Sequence, residues 1–264
     1  MAATIAVLSQ KGGTGKTTAV RTLADVFRRL GLDTLAVDLD PQGNLSDYFD
    51  VPPDAEPTVA DVLTGRAPAG EAIHDDVIPA NLQLAEAELA LAGKMGRELT
   101  LRRALRDLGR AYDVVLLDCP PSLGLLTVNA LVASDHALIT AEAQYFAMQG
   151  VEQALEVIEL ARESLNPDLA WLGVVLNLAD MRTVHSREAH ASLAEAFGDR
   201  VFDTTIRQSI AYAESAERGV SILDHRPDLG ADYLALSAEL LERIGLVEAR
   251  GRLDGLAGEP ATKR

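Results

Sequence analysis

The apolar positions along the chain fall into two alternating spacings. Short β-branched or aliphatic runs at residues 4–8, 34–37, 112–118, 136–140, 171–177 and 201–206 read as strands. Between them, apolar residues recur at helical spacing over 17–30, 124–133, 151–165, 185–197 and 231–244. Runs that are apolar throughout suit a parallel sheet covered on both faces. The alternation predicts an α/β fold, a mostly parallel twisted sheet with helices on both faces. Residues 51–80 carry Pro52, Pro53, Pro57, Pro68 and Pro79 with one periodic piece at 59–64, and read as an elaborated connection. Residues 82–84 alternate as a brief strand. Residues 97–108 read as one amphipathic helix, with leucines on one side and arginines, a solvated face, opposite.

Bulk numbers narrow this picture without changing it. A chain of 264 residues is most economically one larger α/β domain, expected over 1–249, with a glycine-rich tail over 250–264 expected to fray. The net charge of −16 opposes indiscriminate binding to nucleic acid or anionic lipid. A single cysteine, Cys119, excludes an intrachain disulfide and a CxxC site. No basic leader and no run of membrane-spanning length is visible, so a cytoplasmic location is expected.

Chemistry concentrates in Q-K-G-G-T-G-K-T-T at residues 10–18, which follows the first strand and opens the first helix. Strand, glycine-rich turn and helix is the context that makes a G-K-T match a phosphate site. Gly12, Gly13 and Gly15 let backbone N–H groups point inward at an anion, and the helix adds its positive dipole end. Lys16 then suits the β- and γ-phosphates, and Thr17 a Mg²⁺ ion. Lys11 is a second lysine in the same loop, in a chain with only four lysines against twenty arginines. A compact ammonium rather than a guanidinium is wanted there. Downstream, D-L-D-P-Q-G-N at 38–44 ends the second strand; Asp38 reads equally as a turn cap, and Asp40 as a functional carboxylate. Asp118 ends the strand over 112–118, where a carboxylate beside the phosphate loop can hold Mg²⁺.

K-G-G-T-G-K-T-T resembles the deviant Walker A box of the ParA/MinD superfamily of P-loop ATPases, and D-x-D-P-Q-G-N and D-C-P-P-S at 118–122 resemble its switch I and switch II segments. The resemblance covers roughly residues 5–244 and implies a P-loop NTPase fold with ATP and Mg²⁺ as cofactors. It implies that Lys11 through Thr18, Thr14 included, bind nucleotide. Lys11 would act in trans, across a homodimer formed around two ATP molecules, and Lys16 in cis. Asp40 would position the attacking water, with Thr17, Asp40 and Asp118 around the metal. Lys11, Lys16 and Asp40 are thus the implied catalytic set. Asn177 is placed at adenine by analogy with strand-end base sites. The segment after the last strand, starting at Arg207, corresponds to a region that touches adenine in the family. Cys119 reads as a packed small residue.

Two segments depart from the family. At 142–147 the pattern Q-x-E-Y-[FY]-A has its polar residues exchanged, Glu142 before Gln144, and no chemistry is assigned to either. After residue 206 the proline and two arginines of I-P-R-x-x-R are replaced by Arg207, Gln208 and Ala211. Between 180 and 228 six arginines face nine acids, so this usual DNA-binding region is not net basic. The first reading is a short ParA (Soj-like) partition ATPase whose ATP-bound dimer binds nucleoid DNA non-specifically and is released by a ParB-like partner. The second is a positioning ATPase for another cargo or surface; membrane binding of the MinD kind fits poorly, since residues 234–244 carry Glu239 and Glu242 against Arg243. A metabolic reading such as nitrogenase iron protein needs two cluster cysteines, and dethiobiotin synthetase a substrate pocket that the sequence does not display.

Overall fold

A computed structural model describes residues 2–108, 111–144 and 146–256. Seven strands form one sheet: β1 (Ala3–Leu8), β2 (Thr34–Asp38), β3 (Val77–Ile78), β4 (Val114–Asp118), β5 (His136–Glu142), β6 (Ala170–Ala179) and β7 (Val201–Arg207). Their order is β3-β2-β4-β1-β5-β6-β7, and all six pairings are parallel. The helices are α1 (Lys16–Arg29), α2 (Asn44–Tyr48), α3 (Val59–Thr64), α4 (Gln83–Ala92), α5 (Thr100–Leu105), α6 (Leu125–Ala133), α7 (Ala147–Ser164), α8 (Val184–Phe197), α9 (Ala211–Glu217), α10 (Ile222–His225), α11 (Pro227–Arg243), α12 (Val247–Gly251) and α13 (Leu253–Leu256).

The period-two geometry of the strands divides their side chains between two cores. From β1, Ala6 and Leu8 face one core while Ile5 and Val7 face the other; from β4, Val115 and Leu117 oppose Val114 and Leu116. The first core is closed by α3 to α8, and the second by α1, α2 and α9 to α13. Both faces of the sheet are therefore dry, and the near-continuous apolar strand runs follow from that.

Three expectations change. Residues 82–84 are not a strand: Leu84, Ala87 and Leu91 are the buried face of α4, and the edge strand is Val77–Ile78. Three alternating residues are too few to distinguish the two periods. The single helix over 97–108 is a 3₁₀ turn at Arg97–Leu99 followed by the short α5. Residues 250–251 and 253–256, within the tail expected to fray, are helical, in α12 and α13. Ala249 and Leu253 are buried, and Arg252 Nη1 donates to the Leu30 carbonyl at the end of α1. The rest of the expected frayed tail, 257–264, lies outside the described residues.

β1 lies between β4 and β5, at the point where successive crossovers leave the sheet in opposite directions. Loops diverge there and open a crevice at the carboxyl ends of the strands. The glycine loop, Asp38–Asp40, Asp118, Glu142 and Asn177 all sit at that edge.

Candidate nucleotide site

The loop between β1 and α1 is held by its own side chains. Gly13 and Gly15 have φ of 77° and 83°, the left-handed region that favours glycine. A Cβ on Gly15 would also lie 2.7 Å from Asn177 Nδ2, so this glycine admits a neighbouring strand end as well as a turn. Gly12 is different: a Cβ there would make only an ordinary contact, 3.7 Å from Pro121. Thr14 is buried, and its hydroxyl bonds Ser9 Oγ at 2.7 Å and Thr140 Oγ1 at 3.1 Å. Its side chain therefore braces the loop against β5, while Asn177 Nδ2 donates to its carbonyl at 2.8 Å.

Lys16 is buried within this loop, with Nζ 3.2 Å from Ser9 Oγ and 3.4 Å from the Lys11 carbonyl. Burial lowers its pKa, and the charge of Asp118 pulls the other way. A desolvated ammonium at a helix N-terminus is a strong attractor for phosphate.

Asp38 and Asp40 take separate roles. Asp38 Oδ1 accepts from the Asp40 backbone N–H at 3.0 Å, and Oδ2 accepts from Ser46 N and Oγ at 3.0 and 2.8 Å. Both its oxygens are used in folding the 39–46 loop, which settles it as the cap. Asp40 Oδ1 accepts only from Gln42 N at 3.0 Å, and its side chain lines the crevice. Asp118 is fully buried next to Asp38, its register partner across β2 and β4. Neither Asp118 oxygen has a well-formed hydrogen bond. Its pKa is raised by burial first and by the Asp38 charge second, with Thr17 and Lys16 acting the other way.

A buried, unpartnered carboxylate is costly unless a cation uses it. Asp118, Asp40 and the Thr17 hydroxyl are hard oxygen donors, the kind that hold Mg²⁺ through few direct bonds and several waters. Among the described residues no three His, Cys, Asp or Glu side chains form a metal cage by themselves. A divalent ion there would complete its shell with waters or with oxygens of a bound phosphate.

The crevice has a volume of about 800 Å³, and its lining includes Gly12, Gly13, Gly15, Lys16, Thr17, Thr18, Asp40 and Asn177. Four expected residues are placed elsewhere. Asp118 is buried at the end of β4 and does not line the crevice. Lys11 lies beside the crevice, exposed, with Nζ 3.0 Å from Glu142 Oε2. Thr14 is behind the loop. Arg207 does not line the crevice: its Nε is 2.9 Å from Asp232 Oδ2 on α11, and Nη2 donates to the Asp228 carbonyl. The crevice lining instead includes Leu178, Ile206, Ser209 and Tyr212. Asn177 lines the crevice; its Nδ2 donates to the Thr14 carbonyl and its Oδ1 has no hydrogen-bond partner.

Three features of the site have no clear signature in the sequence. Glu142 is the partner of Lys11, and the exchanged polar order at 142–144 was the only signal. Leu178 holds φ of 55°, unusual for a bulky residue, at the crevice wall. Arg21, whose guanidinium stacks 4.1 Å above the Tyr48 ring, also lines the crevice. Cys119 is fully buried with its thiol pushed up by burial, as a packing residue should be.

Comparison with known proteins bears on the family and the fold. A family model described as an AAA domain matches residues 2–171. The chromosome-partitioning ATPase Soj of Thermus thermophilus is 40% identical over 246 residues, covering 91% of this chain and 96% of Soj. The sporulation initiation inhibitor protein Soj of Bacillus subtilis is 38% identical over 245 residues, covering 89% and 97%. The crystal structure of cobyrinic acid a,c-diamide synthase from Mycobacterium smegmatis, with bound ATP analogue and magnesium, is 38% identical with a TM-score of 0.75, covering 82% of this chain and 93% of that one. The parallel sheet, the loop with its buried lysine and the two strand-end aspartates belong to one architecture, and the chain is a ParA/Soj-type member of the ParA/MinD family of P-loop ATPases.

Proposed function

We propose that this protein is a partition ATPase that binds ATP with Mg²⁺, dimerises around the nucleotide and hydrolyses it slowly until a ParB-like partner accelerates the step. The observation that carries this reading is the separation of the two loop lysines. Lys16 is buried in the phosphate loop, whereas Lys11 is exposed outside the crevice. A lysine so placed suits phosphates held by a second subunit better than those of its own. Asp40 would orient the attacking water, and Thr17, Asp40 and Asp118 would hold Mg²⁺, which would supply charge to offset that developing on the phosphoryl oxygens. Asn177 Oδ1 and the 206–212 segment accept the base.

The ATP-bound dimer is further proposed to bind nucleoid DNA non-specifically. Arg182 and Arg226 are forked onto Asp180 and Asp228, and Arg207 is paired through Nε with Asp232. DNA phosphates must displace these carboxylates, so binding is weak per subunit and falls steeply with salt. The same pairing favours a second reading, an ATPase of this family that positions another cargo. Membrane attachment through α11 is disfavoured because Leu229, Tyr233, Leu236, Leu240 and Leu241 are buried in the second core.

Sizing the protein with ATP, ADP or no nucleotide, each with and without DNA at low salt, tests the proposal. A dimer with ATP alone, and a DNA complex only in that state, is expected. A monomer in saturating Mg²⁺-ATP overturns the dimer reading. A dimer that fails to shift DNA turns the assignment to another cargo, to be captured with an Asp40→Ala protein blocked in hydrolysis.

A further inference from the structure

We propose that Glu142 is a cis latch on Lys11, and that opening this latch sets the threshold for ATP-dependent dimer formation. The inference rests on the trans role proposed for Lys11 and assigns the regulation of that same site. Lys11 Nζ lies 3.0 Å from Glu142 Oε2, in its own subunit. The carboxylate is held in place on both sides. Its other oxygen, Oε1, accepts from Gln144 Nε2, and its backbone ends β5 in register with Asn177. Gln144 N also closes a tight turn onto the Glu142 carbonyl at 2.7 Å. The lysine is the more exposed partner: its side chain is 64% exposed, against 20% for Glu142.

While the pair is closed, the Lys11 charge is engaged within its own subunit. Each protomer must break one ion pair before Lys11 can reach phosphates across an interface. The closed form lowers the competent fraction of each protomer, and apparent dimer affinity falls by that fraction for each. An exposed ion pair biases such an equilibrium by about 1.5- to 5-fold. Two latches per dimer then compound to about 2- to 30-fold. Triphosphate favours dimerisation once its charge on the partner outbids a single carboxylate.

The test is dimer formation by analytical ultracentrifugation, with Mg²⁺ and a non-hydrolysable ATP analogue, for wild type, Glu142→Gln, Lys11→Ala and the double variant. Glutamine keeps the shape and an oxygen for Gln144 but removes the charge. Glu142→Gln is expected to dimerise at about 2- to 30-fold lower protein concentration, with the gap to wild type closing at high salt. ADP affinity of the monomer should match wild type, whereas a merely structural role would move it. The double variant should behave as Lys11→Ala. A wild type that dimerises while Glu142→Gln shows no tighter association overturns the latch alone. Tighter association that persists without Lys11 also overturns it. A wild type that never dimerises with the analogue removes the trans reading and the latch with it.

Discussion

At the scale of single residues, the site stores electrostatic cost that a ligand can recover. Asp38 is pushed up to about 6 by burial, and Asp118 is raised well above the usual carboxylate range by burial and the Asp38 charge. A carboxyl whose folded pKa exceeds its unfolded value near 4 holds its proton more readily when folded, so the folded state loses stability as pH rises through that window. In metal-free, nucleotide-free protein, the melting temperature of wild type relative to Asp38→Asn should rise as pH falls from about 7.5 to about 5.5. A difference that stays constant with pH would contradict the assignment. Gly15 carries a second residue-scale prediction, because a Cβ there meets Asn177 Nδ2 at 2.7 Å on a backbone with φ of 83°. Gly15→Ala must push Asn177 off the Thr14 carbonyl, and ATP affinity should fall at least about tenfold in a direct binding titration. Lys16, Thr17, Asp40 and Asp118 were legible in the sequence because each is fixed by a strand end or helix start next to it. Glu142 was not, since its partner Lys11 is 131 positions away.

At the scale of elements, strand periodicity decided most of the architecture and local irregularities decided the exceptions. In β6 the pairing to β5 shifts register between Ala137 and Leu138, where Gly173 takes φ of 140°. A Cβ on Gly173 would lie 2.0 Å from the Arg200 carbonyl oxygen and 2.8 Å from Arg243 Nη1. Arg243 stacks 3.8 Å over the Phe202 ring and donates to the Leu172 carbonyl at 2.7 Å, so it cannot yield without loss. Gly173→Ala should therefore cost about 3 kcal/mol, read as a lower urea midpoint at unchanged slope. The bulge was invisible in W-L-G-V-V-L-N, which reads as uninterrupted strand. Likewise α4 overrode the alternation of residues 82–84, because burial of Leu84, Ala87 and Leu91 outweighs a three-residue pattern.

At the scale of the whole molecule, the two loop lysines should separate binding from assembly. Lys16→Ala removes the buried ammonium and should abolish nucleotide binding; unchanged ATP affinity in calorimetry would refute its role. Lys11→Ala removes an exposed charge outside the crevice and should leave ATP binding by the monomer largely intact while preventing the ATP-dependent dimer. A dimer in that variant, seen by light scattering, would refute action in trans. The net charge of −16 bears on the outer surface as well. Arg182, Arg207 and Arg226 are each held by an acid, so a DNA contact through these three has to compete with the protein's own carboxylates.

The sequence by itself determined the fold class and the phosphate chemistry. Both are written in short-range patterns: apolar runs that fit a doubly covered parallel sheet, and a glycine turn between a strand and a helix that leaves N–H groups free for an anion. Tertiary structure alone decided which long-range partners each charged group meets. It gave Asp38 to Ser46, left Asp118 buried without a hydrogen bond, turned Arg207 onto Asp232 and closed Lys11 onto Glu142. Those pairings depend on which strand ends the crossovers bring together, a long-range outcome that no local spacing encodes.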